Sequence, residues 1–119
     1  MSARSEHDAR ALHNEALCAH LHATAPLVFL DWQVVCLFYA AAHLVEALLA
    51  TRGVHSNDHN ARRRHVRFML PAANAAYRQL EVLSREARYS PEVPTTPQRA
   101  TIAEQCLRQL SAEVRAQLP

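Results

Sequence analysis

The sequence predicts an all-α protein, an up-and-down helical bundle of four principal helices plus a short helix. Its 119 residues are half hydrophobic and include a single glycine. Apolar residues recur at three- and four-residue spacing, which is typical of amphipathic helices, and no segment alternates as a half-buried strand would. Prolines fall between these stretches. The length predicts a single domain, residues 1–119, with residues 1–4 disordered.

The first predicted helix has only a weak apolar periodicity. Ser5 followed by Asp8 resembles a capping box, and the helix should run to about Ala23, shortly before Pro26. The predicted inner face has four members: Ala9, Leu12, Ala16 and Ala23.

The second predicted helix organises the chain. Asp31 is a natural N-cap, and Gly53 falls where a left-handed residue should end the helix. Two stripes recur along it at helical spacing, one purely apolar and one with polar members. The apolar core stripe comprises Val34, Phe38, Ala41, Val45 and Leu48, with Leu37, Ala42 and Leu49 beside it. The second stripe comprises Trp32, Cys36, Tyr39, His43, Glu46 and Ala50 and must face another helix, a partner chain or a pocket.

Three further helices follow a short polar turn. Ser56 or Asn57 should cap the third helix, which Pro71 should end near Leu70. A fourth helix is expected from about Ala72 to Arg88, with an inner face of Ala73, Ala76, Leu80, Leu83 and Ala87.

The last helix has a clear start signal. Thr96 should cap it, and Pro97 occupies the first helical position, where proline is preferred. Its inner face should comprise Ala103, Leu107, Leu110, Val114 and Leu118.

Composition restricts the compartment and the class of partner. The formal charge of +2 is too small to indicate wholesale nucleic-acid binding. Three widely spaced cysteines without a C-x-x-C motif indicate a reducing compartment and neither a disulfide framework nor a zinc site. The N-terminus lacks an apolar signal core, and we expect no apolar run to reach membrane-spanning length. We therefore expect a cytoplasmic protein with no membrane partner.

The turn after the second helix gathers groups that act on phosphodiesters. It holds imidazoles at His55 and His59 and polar side chains at Asn57 and Asp58. Imidazole can act as base or acid near neutral pH, and arginine stabilises a phosphoryl centre. A helix N-terminus adds free N–H groups for an anion. These features favour RNA, whose 2′-OH can attack without metal. Five arginines lie on either side of the turn: Arg52, Arg62, Arg63, Arg64 and Arg67.

The residues that carry this chemistry resemble the HEPN superfamily, in particular its small single-domain bacterial members. The resemblance covers roughly residues 31–89 and rests on F-Y-A-A-A-H-L-V-E-A-L-L-A-T-R-G-V-H, S-N-D-H-N-A-R, Y-R-Q-L and S-R-E-A-R-Y. It implies a helical bundle, usually a homodimer. It also implies a metal-independent endoribonuclease of a toxin–antitoxin or defence system, with a possible nucleotidyltransferase-type antitoxin as partner.

The resemblance also implies roles for individual residues. An arginine followed after four to six residues by a histidine is the family's catalytic signature, which Arg52 and His59 fit. No metal or cofactor is expected. The residues expected to bind RNA are His55, Asn57, Asp58, Arg62, Arg63 and Arg64. Those expected to support the turn are Tyr39, His43 and Glu46.

Two alternatives remain open at this stage. Gly53 follows the arginine, where the family usually has a polar residue, so a non-catalytic RNA-binding or protein-interaction module is one alternative. The other is a metal-binding bundle with a mononuclear site. Its ligands would be His43, Glu46, His55 and His59.

Overall fold

The computed structural model describes residues 3–119 as helices joined by short connections. Five α-helices and one turn of 3₁₀ helix make up the fold, and residues 3–119 contain no strand. The all-α prediction is therefore confirmed. The helices are α1 (Arg4–Thr24), α2 (Leu30–Thr51), α3 (His59–Met69), α4 (Asn74–Tyr89) and α5 (Pro97–Gln117), with the 3₁₀ turn at Pro71–Ala73.

Helix α2 is the centre of the bundle. It packs against α1, α4 and α5, and its C-terminal end leads into the connection that positions α3. All eight residues of the predicted core stripe are buried. Periodic apolar residues therefore identified the inner face of α2 correctly.

Helix α2 is also long and apolar enough, by length and composition, to cross a membrane. The expectation that no apolar run reaches that length was therefore wrong. Within the fold, 78% of the apolar window is buried by the other helices, which is what the central helix of a bundle shows.

The inner face of α1 differs from the prediction. All four residues predicted to face inward are exposed, Leu12 by 62%. His7 and Ala11 are buried instead, and Cys18 packs partly against the core. The start also differs, since Ala3 is the N-cap and the Glu6 carboxylate accepts from its N–H. Residues 1 and 2, part of the segment expected to be disordered, lie outside the described residues.

Two predicted caps fall on neighbouring residues. Helix α2 begins at Leu30 after Phe29, so Asp31 lies inside the first turn. Its negative charge there still interacts favourably with the positive end of the helix dipole. Helix α3 is capped by Asp58, whose carboxylate accepts from the Ala61 N–H at 2.7 Å. Ser56 and Asn57 lie before this cap.

The end of α2 follows the prediction. Gly53 has a φ of 69°, the left-handed conformation that favours glycine. The Gly53 N–H donates to Ala50 and the Val54 N–H donates to Leu49, which is the Schellman pattern. This motif turns the chain sharply, so that residues 55–58 fold back beside α2.

Helices α4 and α5 complete the core with most of the predicted residues, while Ala73 lies in the 3₁₀ turn before α4 and Leu118 is the C-cap of α5. Helix α4 buries Ala76 and Leu80, and Leu83 and Ala87 pack partly against the core. Thr96 caps α5 by accepting from the Arg99 N–H, and Pro97 is its first residue. The buried residues of α5 include Ala103, Leu107, Leu110 and Val114.

Most of the second stripe of α2 is covered within one chain. Cys36 and Glu46 are buried, His43 and Tyr39 are half-buried, and Trp32 is 55% exposed. The cover comes from α1, α3 and α4. From Cys36 to Glu46, the stripe therefore faces other helices of the same chain, one of the three possibilities that the sequence left open.

Candidate functional site

Glu46 is the buried acid around which the turn after α2 is built. Its carboxylate accepts from the Ser56 hydroxyl and, at 3.0 Å, from Nε of Arg62 on α3. His55 Nδ1 lies 3.7 Å from Oε2 of the same carboxylate. Glu46 is 4% exposed, so the two hydrogen bonds compensate for the loss of its hydration. Glu46 thus joins α2 to α3 and to the segment before α3.

Glu81 on α4 is a second buried acid beneath α3. Nε of Arg63 donates to Oε1 at 2.6 Å, and His59 Nδ1 lies 3.9 Å from Oε2. Arg63 also donates to the side chain of Asn60. Two consecutive arginines of α3 are thus each held by a buried carboxylate, one from α2 and one from α4, and this fixes the position of α3.

His59 is the first residue of α3 and is half exposed. Burial and the neighbouring Arg62 lower the pKa of His59 below its ordinary value of 6.5. Nη1 of Arg62 lies 3.1 Å from His59 Nδ1. Because a guanidinium can only donate, Nδ1 accepts and the neutral ring carries its proton on Nε2. The N–H donor of the His59 ring is therefore on Nε2.

A pair of histidines joins α1 to α2 close to Glu46. Nδ1 of His7 and Nδ1 of His43 lie 3.0 Å apart, so one ring donates to the other. Burial lowers the pKa of His43 below 6.5, and His7 lowers it further. The neutral form of His43 is favoured accordingly.

The four ligands of the predicted metal-binding alternative do not come together as one set. One ligand atom each from His7, Glu46 and His55 lies within 4.8 Å of the other two. His43 contacts His7, and His59 lies against Glu81. Only two of the four predicted ligands, Glu46 and His55, belong to the group that the fold assembles.

The exposed side of α3 forms a basic cleft with the start of α4. The cleft has a volume of about 250 Å³. Arg64, Arg67 and Arg78 form no salt bridge with any of residues 3–119. Phe68 is 78% exposed, and the Arg67 guanidinium lies 5.6 Å from the centre of its ring. The lining residues are Asn60, Arg63, Arg64, Arg67, Asn74 and Arg78.

Arg52 and His59, the predicted catalytic pair, make their contacts in different places. Arg52 donates to the side chain of Gln117 at the end of α5, at 2.6 Å. His59 contacts Arg62, Glu81 and Phe38. Of the other predicted RNA-binding residues, Asp58 serves as the cap of α3 and Asn57 is exposed before it.

Tyr39 has a partner that the sequence did not indicate. Its hydroxyl accepts from Nη1 of Arg88 at 2.9 Å, and the same guanidinium lies over the rings of Tyr39 and Tyr89. Beneath α3, Tyr77 is fully buried, and burial raises its pKa to about 12.

Four important residues lay outside the sequence-based site, namely His7, Glu81, Tyr77 and Phe68. Three of them, His7, Glu81 and Tyr77, lie far from the turn in the sequence, so no spacing pattern connected them with it. A signal existed only for Phe68, which stands as an isolated aromatic residue on the polar side of a basic helix.

No protein-family model, curated protein or solved structure matches this chain significantly.

Proposed function

We propose that the protein binds single-stranded RNA along α3, as a module of the HEPN type. The observation that carries the proposal is the cleft with three arginines free of salt bridges, together with the exposed Phe68 next to one of them, Arg67. Arginine guanidinium groups bind phosphates, and an exposed aromatic ring stacks on unpaired bases. The resemblance of residues 31–89 to HEPN proteins supports RNA as the ligand.

The site has the polarity that such binding requires. The cleft side chains present guanidinium and amide groups, and the buried carboxylates of Glu46 and Glu81 lie behind Arg62 and Arg63. His59 adds an N–H donor at the N-terminus of α3, where the helix dipole favours an anion. The cleft donors and the Phe68 ring beside Arg67 therefore offer a surface for phosphates next to a stacking surface for a base.

Binding is tested by fluorescence anisotropy with a labelled single-stranded RNA over a series of salt concentrations. Each phosphate contact contributes about 0.7 to the slope of log affinity against log salt, so R64A/R67A/R78A should reduce the slope by about 2. The matched control R10A/R85A/R115A removes the same charge from exposed positions elsewhere. Equal losses in the two triple variants would show that the attraction is not specific to α3.

Stacking is tested separately by Phe68→Ala. Loss of one base–aromatic stack costs about 1–3 kcal/mol, so affinity should fall by about tenfold or more, with little change in the salt slope. The control is Val82→Ala, which truncates an exposed apolar side chain on α4. An affinity unchanged in Phe68→Ala would exclude a stacked base at this residue.

Metal-independent cleavage of the bound RNA is the second candidate function. The observation that favours it is His59, whose ring is half exposed, has a lowered pKa and lies beside Arg62. When a phosphate engages Arg62, Nδ1 of His59 is released and can accept the 2′-OH proton. The 2′ oxygen then attacks the phosphorus, and the 5′ oxygen leaves and takes a proton from a solvent water molecule, which gives a 2′,3′-cyclic phosphate end and a 5′-hydroxyl end.

Cleavage is tested by incubating the protein with total RNA in EDTA and identifying the ends, with circular dichroism recorded in the same buffer. His59→Ala should abolish cleavage and retain the fold, whereas His20→Ala, an exposed histidine on α1, should leave it unchanged. Arg52→Ala tests the pair implied by the resemblance. RNA binding without cyclic-phosphate ends at any protein concentration would leave the non-catalytic module as the function.

We also propose three further properties that the resemblance to HEPN proteins implies. They are a homodimer in solution, a cytoplasmic location and a nucleotidyltransferase-type antitoxin as a possible partner. Light scattering that detects only a 13.4 kDa species at high concentration would contradict the homodimer.

A further inference from the structure

Three residues that are far apart in the chain meet beneath the turn. His7 comes from α1, Glu46 from α2 and His55 from the segment that precedes α3. One ligand atom of each lies within 4.8 Å of the others, and Glu46 Oε2 is 3.7 Å from His55 Nδ1. A tetrahedral metal with bonds of about 2.0–2.1 Å places its ligand atoms about 3.4 Å apart, so these atoms would have to approach one another by up to about 1.4 Å. Small side-chain rotations would close the difference.

Two buried atoms in this group lack a hydrogen-bond partner among residues 3–119. They are Nε2 of His7 and Oε2 of Glu46, and the two residues are 8% and 4% exposed. A buried polar atom without a partner costs about 1–3 kcal/mol. Nε2 of His7 and Oε2 of Glu46 can each donate an electron pair to a cation held between these residues.

The hydrogen bonds around the group suit metal binding. His43 accepts from His7 if Nδ1 of His7 carries the proton, and Nε2 of His7 is then free to donate its lone pair. Metal-binding histidines commonly donate their other ring N–H in this way, which fixes the ring. Ser56 and Arg62 bind Oε1 of Glu46 and so orient its second oxygen. His55 has a side chain that is 37% exposed and provides a route from solvent.

We propose that His7, Glu46 and His55 bind one Zn²⁺ ion, with a water molecule as the fourth ligand. Two imidazole nitrogens and one carboxylate oxygen form a ligand set that zinc accepts in tetrahedral geometry. The ion joins α1, α2 and the segment before α3, and it thereby stabilises the turn that leads to His59. This site is independent of the cleft along the exposed side of α3.

Zinc binding is measured by calorimetric titration of protein that carries no His-tag and has been freed of metal with a chelator. One equivalent should bind and raise the melting temperature. Bound Co²⁺ should show the visible absorption bands of a tetrahedral site. His55→Ala, at an exposed position, should weaken binding at least about tenfold, as should His7→Gln. His13→Ala, an exposed histidine on α1, is the matched control and should bind as the unaltered chain does.

Absence of stoichiometric binding to the folded, unaltered chain would overturn the proposal, as would equal losses in His55→Ala and His13→Ala. His55→Ala decides the matter if His7→Gln does not fold. RNA binding is measured separately with Phe68→Ala, so either proposal can fail while the other holds.

Discussion

Replacing Glu46 by alanine should be among the most destabilising single changes at the surface between α2 and α3. The substitution removes the acceptor of Arg62 and Ser56 and leaves the Arg62 guanidinium unpaired, with its side chain only 16% exposed. Removing one partner of a buried pair costs about 3–5 kcal/mol, and the residual exposure of Arg62 favours the lower end, about 3 kcal/mol.

This loss converts into a large change in melting temperature. An unfolding entropy of about 2.1 cal/mol/K per residue gives about 0.25 kcal/mol/K for 119 residues, so 3 kcal/mol corresponds to about 12 °C. Thermal unfolding followed by circular dichroism in the presence of a chelator measures this change in melting temperature without a contribution from bound metal.

Glu104→Ala is the matched control. Glu104 is also a helical glutamate paired with an arginine, Arg108, but both side chains are at least half exposed. Such surface pairs contribute about 0.3–0.5 kcal/mol, so a change of only about 1–2 °C is expected. E46M/R62M, which replaces the pair by apolar side chains, should recover part of the stability lost in Glu46→Ala. If Glu46→Ala and Glu104→Ala melt together, the pair with Arg62 does not stabilise the fold.

Two further predictions concern stability. Gly53→Ala should lower the free energy of unfolding by about 1 kcal/mol, because the φ of 69° is strained for alanine while an added Cβ meets no atom within 4 Å. Urea unfolding measures this loss. Gly53→Asn should lose less stability, since asparagine tolerates this conformation. The stability of the metal-free protein should fall as pH decreases from about 7.5 to about 5.5. The pKa values of His43 and His59 are lowered below 6.5, so the unfolded chain binds more protons in this range. His43→Asn should reduce the pH dependence seen in urea unfolding, and His20→Asn should not; a stability that rises toward low pH would contradict the assignment.

The core of the bundle could be predicted from sequence because its signal is periodic. Val34, Phe38 and Leu48 recur on α2 at helical spacing, and a helix with so regular a pattern has one inner face. Gly53 was predictable as well, since a single glycine after a long helix has few other uses.

The face of α1 was not predictable in this way. Leu12 is the most apolar residue of the predicted face, yet it is exposed, while His7 is buried because its ring contacts His43 on α2. Tertiary contact thus outweighed the hydrophobicity of single residues where the periodic signal was weak. The caps shifted for a related reason, since several residues near Asp58 are good N-caps and only the path of the turn decides among them.

The candidate site could be predicted in composition but not in pairing. Glu46 was identified because a carboxylate is rare on an apolar helix, and His55 and His59 because the turn after that helix is crowded with polar groups. Their partners depend on how the turn folds back. Glu46 pairs with Arg62, and His59 lies against Glu81 on a different helix. Periodicity carries no information about contacts between helices that are separated by such a turn.

Helix α1 packs along α2 and no other helix within residues 3–119, and a groove separates it from α5. Segments attached on one side open locally at a smaller free energy than the whole molecule. Backbone amides of α1 should therefore exchange with solvent deuterium through detachment of this helix. Those of α2, α4 and α5 should exchange more slowly, because their exchange requires global unfolding. Because His7 is part of α1, each detachment of α1 would remove a ligand from the proposed zinc site. Bound zinc would therefore slow the exchange of the α1 amides, and the zinc concentration would set how often α1 detaches.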